Sequence, residues 1–349
     1  HLAGRRISPS SHTAARAVNP HRVAWATLLM LAIAIAYIAT VGPSVLFSSR
    51  ESRDQAVAAA FSDPLASLIL GAFATFGVLV VSVAHIEIRR SRVPGRGRGA
   101  VLILLLVALL VIVNPIGAPR FVFLTVVLGL LAAWGVYRTL PRFRVIALSS
   151  IAGLVLLFPL LDTFRRSLDA KIASADPLAS LKEGDFDSFG QVLNAAWYVD
   201  GAGFTWGNQF LGVIFFWVPR SIWEEKPKDT GIFLAEQKGY WFTNLSAPLP
   251  AELYINWGWV GVGLGSLILG IYLRRADAFT DLKIRLEGAP GILGSVLPFY
   301  LVFLFRGSLL QATANLAVVV FCWWLVTDRP EKGEERQGGL RRRDTSYRP

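Results

Sequence analysis

A series of long apolar runs is the feature of this sequence that most restricts its fold. Eight of them are long enough, or nearly so, to cross a bilayer as helices: residues 23–41, 65–84, 100–113, 121–137, 145–161, 251–273, 291–305 and 308–326. Hydrophobic residues make up 54% of the chain, and in lipid a helix satisfies its own backbone hydrogen bonds. The sequence therefore predicts an all-α polytopic membrane protein with about eight transmembrane helices. Because the sequence begins at His1 in a loop-like stretch, this count leaves earlier spans open.

The positions of the Lys and Arg residues predict how these helices are oriented. The formal net charge is +11, and most of the basic residues fall in five short segments: 1–22, 85–99, 138–144, 274–290 and 328–349. Basic loops remain on the cytoplasmic side of a membrane, so these segments are predicted to lie inside. Membrane topology thus explains the excess charge, and no nucleic-acid partner is expected.

The predicted spans divide the chain into five regions. They are a cytoplasmic N-terminal segment (1–22), the first five helices (23–162), a large periplasmic or extracellular loop (163–250), the last three helices (251–327) and a disordered cytoplasmic tail (328–349). A loop as long as the outer one is uncommon unless it is functional. We therefore expect the function to reside there.

An apolar run at 207–218 interrupts the long outer loop. At about a dozen residues it is too short to span, which favours a re-entrant or interfacial segment. In the stretch that follows, Pro219 predicts the first turn of a short amphipathic helix that ends at Pro227. Arg220 and Glu224 would then share one face, with Glu224 orienting Arg220.

Five arginines are predicted outside, close to the membrane, where the rule that orients the helices disfavours cations. They are Arg120, Arg165, Arg166, Arg220 and Arg306. Each alone could extend to lipid headgroups or pair with an acid. Together they predict a cavity open to the outer leaflet that holds a lipid-borne phosphate or pyrophosphate, because the guanidinium binds phosphate in a fork.

Glu252 is the acidic residue that most resembles a catalytic group. Prolines 248 and 250 predict a helix start, which places Glu252 in the first turn and Asn256 one turn further along the same face. Acids at helix N-termini are favoured by the macrodipole, which is one explanation. The other is a general base that accepts a proton from a sugar hydroxyl.

Several other chemistries lack the residues that they need. No Walker phosphate loop is present, and the four histidines all fall in or near inner segments: His1, His12, His21 and His85. The single cysteine, Cys322, lies in an apolar run and is predicted to be a buried thiol. Asp185-Phe-Asp187 resembles the metal motif of nucleotide-sugar transferases, but a solvated pair is the favoured interpretation. Neither a metal nor a cofactor is expected.

The order of several short motifs resembles the O-antigen polymerase family, also called oligosaccharide repeat unit polymerases. The motifs fall within residues 110–310 and are Asn114-Pro115 with Arg120-Phe121, Phe158-Pro159 with Asp162-x-x-Arg165, Pro219-Arg220-x-x-Trp223-x-x-Lys226-Pro227, Ser246-Ala-Pro248 with Glu252-Leu-Tyr254 and Asn256, and Arg306-Gly307.

The resemblance implies a GT-C-like architecture and a metal-independent glycosyl transfer on the outer face of the bacterial cytoplasmic membrane. Donor and acceptor would be oligosaccharides linked to undecaprenyl pyrophosphate, with membrane lipid and a chain-length regulator as further partners. The implied roles are pyrophosphate binding by Arg120, Arg165, Arg220 and Arg306, supporting contacts by Arg166, Lys226 and Asn256, and general base catalysis by Glu252.

Three alternatives remain open at the level of sequence. An O-antigen ligase has a similar architecture but typically carries an outer-loop histidine, which this chain lacks. A lipid-linked oligosaccharide flippase or other transporter would distribute polar groups through the midplane of its helices, whereas here they concentrate at the outer ends. An accessory membrane protein would use the arginines only to bind lipid.

Overall fold

Helices make up almost all of the structure, a computed structural model that describes residues 16–61, 63–90, 97–153, 188–240 and 245–328. A short strand β1 (Ala17–Val18) precedes the helices, and β2 (Thr327–Asp328) follows them. The helices are α1 (Pro20–Val41), α2 (Pro43–Leu46), α3 (Arg50–Ala60), α4 (Pro64–Ala72), α5 (Val78–Arg90), α6 (Arg98–Ile112), α7 (Arg120–Ala133), α8 (Leu140–Ala152), α9 (Ser188–Ala202), α10 (Asn208–Ile214), α11 (Thr230–Gln237), α12 (Leu249–Glu287), α13 (Gly291–Arg306) and α14 (Leu309–Val326).

Four of these helical segments are long and apolar enough to cross a membrane: Pro20–Val41, Pro64–Arg90, Leu249–Arg285 and Leu309–Val326. The second combines α4 and α5, which are joined by a π-helical stretch. Three shorter apolar helices accompany them: Gly99–Ile112, Arg120–Ala133 and Gly291–Arg306. The prediction of an all-α, multi-pass membrane protein is confirmed. The count of eight spans stays a prediction, and the predicted span 145–161 lies only partly within the described residues.

The distribution of apolar side chains agrees with a lipid environment. A buried cluster joins α1, α5, α6, α13 and α14, and its fully enclosed members include Met30, Leu79 and Leu105. On the outside of the same bundle, large apolar side chains are exposed, such as Leu104 at 53% and Leu267 at 60%. A bundle that is apolar on both its inner and its outer surface is typical of membrane-spanning helices.

A two-stranded antiparallel sheet joins the first and last described residues of the chain. Ala17 pairs with Asp328 and Val18 with Thr327, and the Asp328 carboxylate lies 3.1 Å from Nε of Arg22. The sequence analysis placed Asp328 in a disordered tail, which is wrong for this residue because β1 and Arg22 hold it. The remainder of the predicted tail, 329–349, lies outside the described residues.

At the opposite end of the bundle, a tight turn connects α6 to α7. The Asn114 side chain donates to the carbonyl oxygen of Leu46 (2.8 Å) and accepts from the N–H groups of Ile116 (3.1 Å) and Gly117 (2.9 Å). We call this end, which contains the turn 114–119 and the start of α7, the outer end, after the predicted orientation.

Gly258 breaks α12 into two helices. Its backbone angles, φ 63 and ψ −153, are non-helical. A methyl group on Gly261 would lie 2.6 Å from the carbonyl oxygen of Leu253. Residues eight apart in a straight helix are about 12 Å apart along its axis. The first segment, 249–257, therefore folds back against the start of the second. The sequence predicted a span over 251–273, and the bend at Gly258 falls within that range.

Three short helices pack on the first segment of α12 and form a small layer beside the membrane bundle. Its core includes Ala195 of α9, Leu234 of α11 and Ile255 of α12. A second cluster joins Val213 of α10 to Leu309 at the start of α14. The layer is thereby fixed to the outer end of the bundle.

Candidate functional site

Glu252 connects three helices at the outer end. Its side chain is 2% exposed. One carboxylate oxygen accepts from the Thr230 hydroxyl at 2.6 Å, and the other accepts from the backbone N–H of Leu309 at 3.0 Å. The first N–H groups of a helix have no partner within that helix, so Glu252 supplies one to α14 from outside. Its position in the first turn of α12 was predicted correctly.

A second carboxylate, Asp229, lies beside Glu252 and begins α11. It is partly buried and accepts from the backbone N–H of Gly231 at 3.0 Å, as N-cap residues do. Burial raises the pKa of Asp229, while the nearby Ser308 hydroxyl and the N–H groups of Gly231 and Ile232 oppose that rise. The two residues differ in exposure, since Asp229 is partly buried and Glu252 is almost fully buried.

Asn256 holds the layer of short helices together. Its amide N–H donates to the Glu252 carbonyl oxygen at 2.8 Å. Its side-chain oxygen accepts from the Thr205 hydroxyl at 3.0 Å and from the N–H of Phe210 at 3.4 Å. The side chain is 1% exposed. In this geometry Asn256 positions the loop before α10, and the proposed contact with substrate stays a prediction.

Arg120 and Arg306 lie close together at the outer end. Arg120 is the first residue of α7 and is 8% exposed. Arg306 is the last residue of α13, and its guanidinium carbon lies 5.6 Å from the centroid of the Phe121 ring. A cation over an aromatic face is stabilised by the ring quadrupole. Arg306 thus contacts the residue that follows Arg120 in the chain.

Arg220 and Lys226 form a separate pair within one loop. Arg220 donates to the carbonyl oxygens of Lys226 (2.7 Å) and Pro227 (3.4 Å). Lys226 donates to those of Phe216 (2.6 Å) and Val218 (2.9 Å). Burial, and then the nearby charge of Arg220, lower the pKa of Lys226. The two cations thus fold the loop 216–227 around themselves.

The predicted helix at 219–227 is not formed. Residues 220–222 and 224–225 are turns. Arg220 makes its hydrogen bonds to the backbone carbonyls of Lys226 and Pro227, which folds the segment as a loop instead. The expected orienting role of Glu224 is therefore wrong. The apolar run 207–218 does form a short helix, α10, which packs at the outer end, and its depth in the membrane stays a prediction.

A short chain segment links the carboxylates to the arginines. Arg306 ends α13, Ser308 faces Asp229, and Leu309 donates to Glu252. The other two predicted arginines, Arg165 and Arg166, lie outside the described residues, as do Asp185 and Asp187.

Asp229, Thr230 and Ser308 were not predicted from the sequence. The order Asp229-Thr230-Gly231 carries a recognisable N-cap signal, so the start of α11 could have been found. The bond from Thr230 to Glu252 could not, because it joins positions 22 residues apart through tertiary packing. Within the described ranges, no group of three or more His, Cys, Asp or Glu side chains could hold a metal ion.

The fold and the site together define a multi-pass helical membrane protein with two arginines and two carboxylates at one end of its bundle. Compared with known proteins, the chain matches no family model, no curated protein and no solved structure.

Proposed function

We propose that this protein is a membrane glycosyltransferase that polymerises undecaprenyl pyrophosphate-linked oligosaccharide repeat units on the outer face of the bacterial cytoplasmic membrane. The observation that supports it best is the segment 306–309, which joins Arg306 to the Glu252 carboxylate through Leu309. Transfer from a lipid pyrophosphate needs cations for the leaving group and a base for the attacking hydroxyl. The cation Arg306 lies in this segment, and the carboxylate of Glu252 contacts it through the N–H of Leu309.

In the proposed reaction, a sugar hydroxyl of the acceptor attacks the anomeric carbon of the donor. A new glycosidic C–O bond forms, and the C–O bond to the carrier pyrophosphate breaks, with its electron pair leaving on the pyrophosphate. Arg120 and Arg306 stabilise the charge that develops there. The hydroxyl proton passes to a carboxylate. No metal is required for these steps, which fits a GT-C-like transferase.

Two carboxylates are candidates for the proton acceptor. Both oxygens of Glu252 already accept hydrogen bonds, and the side chain is enclosed. Direct contact between Glu252 and a sugar therefore requires α11 to move away from α12. Asp229 is less enclosed than Glu252. Glu252 remains our proposed base, with Asp229 as the residue through which a proton reaches it.

Product analysis distinguishes this function from the alternatives. Purified protein in liposomes is given undecaprenyl pyrophosphate-linked repeat units alone, and we expect a ladder of products that grow by whole repeat units. A ligase would yield product only after lipid A core is added. A flippase would move labelled donor across the bilayer without lengthening it. Donor binding without any ladder would contradict the proposal.

A further inference from the structure

Arg53 is a buried cation at the outer end that the proposed site does not yet include. It belongs to α3 and is 8% exposed. Its Nη2 donates to the carbonyl oxygen of Ile112 at 3.0 Å, whereas its Nη1 is buried without a hydrogen-bond partner. Among the described side chains, no carboxylate forms an ion pair with it. A guanidinium presents five N–H donors, so much of its capacity remains available to a ligand.

Part of this arrangement has a purely structural explanation. Ile112 is the last residue of α6, and a cation near the C-terminal carbonyls of a helix is favoured by the helix dipole. This contact explains why Nη2 points where it does. It does not explain Nη1, because a buried charged donor that lacks a partner is unfavourable.

The surroundings of Arg53 connect it to Arg120. A methyl group on Gly117 would lie 3.3 Å from Cδ of Arg53 and 2.8 Å from the carbonyl oxygen of Leu46. Arg53 therefore packs directly against the turn 114–119, which ends where α7 begins with Arg120. The Asn114 hydrogen bonds hold this turn in place, so Arg53 contacts a fixed segment that leads directly into Arg120.

We propose that Arg53 and Arg120 bind a phosphate or pyrophosphate group at the outer end, with the Nη1 of Arg53 as a direct donor. Two arginines beside one turn suit a dianion, because each guanidinium offers paired donors to phosphate oxygens. This inference deepens the proposed function. Only the identity of the lipid that carries the phosphate rests on that function.

Binding measurements on the full chain in phosphatidylcholine nanodiscs test the site. The probes are farnesyl pyrophosphate, inorganic pyrophosphate and, as a third arm, discs that contain phosphatidylglycerol. We expect Arg53→Met to weaken binding of the favoured probe by about tenfold or more, which corresponds to one charge-assisted hydrogen bond. The Kd of Arg53→Lys should lie between those of the wild type and Arg53→Met, because an ammonium group keeps the charge and loses the forked geometry of the guanidinium.

Arg285→Met is the matched control. Arg285 is 75% exposed near the end of α12 away from the site and pairs with Asp281 at 2.8 Å, so its removal should leave every Kd unchanged. If Arg53-dependent binding is seen for farnesyl pyrophosphate alone, the ligand is lipid-borne. If inorganic pyrophosphate binds equally well, the ligand is a free anion. If binding depends on phosphatidylglycerol, the ligand is a lipid headgroup. Each of these outcomes supports the site.

A wild-type Kd for all three probes in Arg53→Met would contradict the proposal. Unchanged binding together with lower stability would show that Arg53 only caps the end of α6. If Arg53→Met does not fold, a wild-type Kd in Arg53→Lys contradicts it equally. The outcome is separable from the proposed function. Arg53-dependent binding without a polymer ladder would support the site and contradict the polymerase function. A polymer ladder without Arg53-dependent binding would support the function and contradict the site.

Discussion

The carboxylate of Glu252 accepts a hydrogen bond from the backbone N–H of Leu309, which joins the first turn of α12 to the first turn of α14. The two residues are 57 positions apart in the chain. Thr230 completes the junction from α11. These hydrogen bonds act together with the apolar contacts of Leu253 and Leu309 to hold the outer end.

Thr230→Val tests the junction itself. It keeps the shape of a buried side chain and removes the donor to Glu252. We expect the free energy of unfolding to fall by about 1–3 kcal/mol, because a buried carboxylate loses one of its hydrogen bonds. Thermal unfolding in detergent measures the change. Thr230→Ser keeps the hydroxyl and serves as the control, and equal midpoints for the two variants would contradict the account.

Glu252→Gln separates a structural role from proton transfer. The glutamine oxygen can still accept from Leu309, and the Thr230 hydroxyl can rotate to accept from the new amide. Stability should then change by about 1 kcal/mol or less, while the polymerisation rate falls by about 100-fold or more because the base is gone. Full activity in this variant would leave Glu252 with only its helix-joining role.

The pH dependence of stability reports on Asp229. Because burial raises its pKa above the ordinary value of 3.8, the folded protein binds this proton more tightly than the unfolded chain. The Asp229 contribution to the free energy of unfolding therefore decreases as the pH rises above about 4. Asp229→Asn removes the titration and keeps an N-cap side chain. Unfolding midpoints measured over a pH series should show a growing advantage of the variant as pH rises. A constant or shrinking difference would exclude the raised pKa.

The bend in α12 should depend on glycine at position 258. A methyl group there would lie 2.8 Å from Cζ of Phe204, at backbone angles that other residues rarely adopt. We expect Gly258→Ala to destabilise the protein by about 1–3 kcal/mol. Gly263 belongs to the same glycine-rich stretch and has nothing within 4 Å of an added methyl group, so Gly263→Ala is the matched control. Equal unfolding midpoints would show that the bend does not require Gly258.

The apolar runs predicted the helices well, since lipid leaves a long apolar segment few other structures. They did not predict the bend at Gly258, because glycines in such a run serve helix packing as readily as a turn. Within the site, the positions of Glu252, Arg120 and Arg306 at helix ends followed from local signals. Their partners did not, because contacts such as those of Glu252 with Thr230 and Leu309 depend on tertiary packing.

The central claim is that the cations beside the carboxylates act on a lipid-linked pyrophosphate, and the rate of ladder formation by Arg306→Met tests it most directly. The control is Arg285→Met, which removes an exposed arginine on α12 and is measured with the same purified donor. We expect a rate at least about 100-fold below wild type for Arg306→Met, because an electrostatic contact to the leaving group is lost, and a wild-type rate for Arg285→Met. A wild-type ladder from Arg306→Met would contradict it.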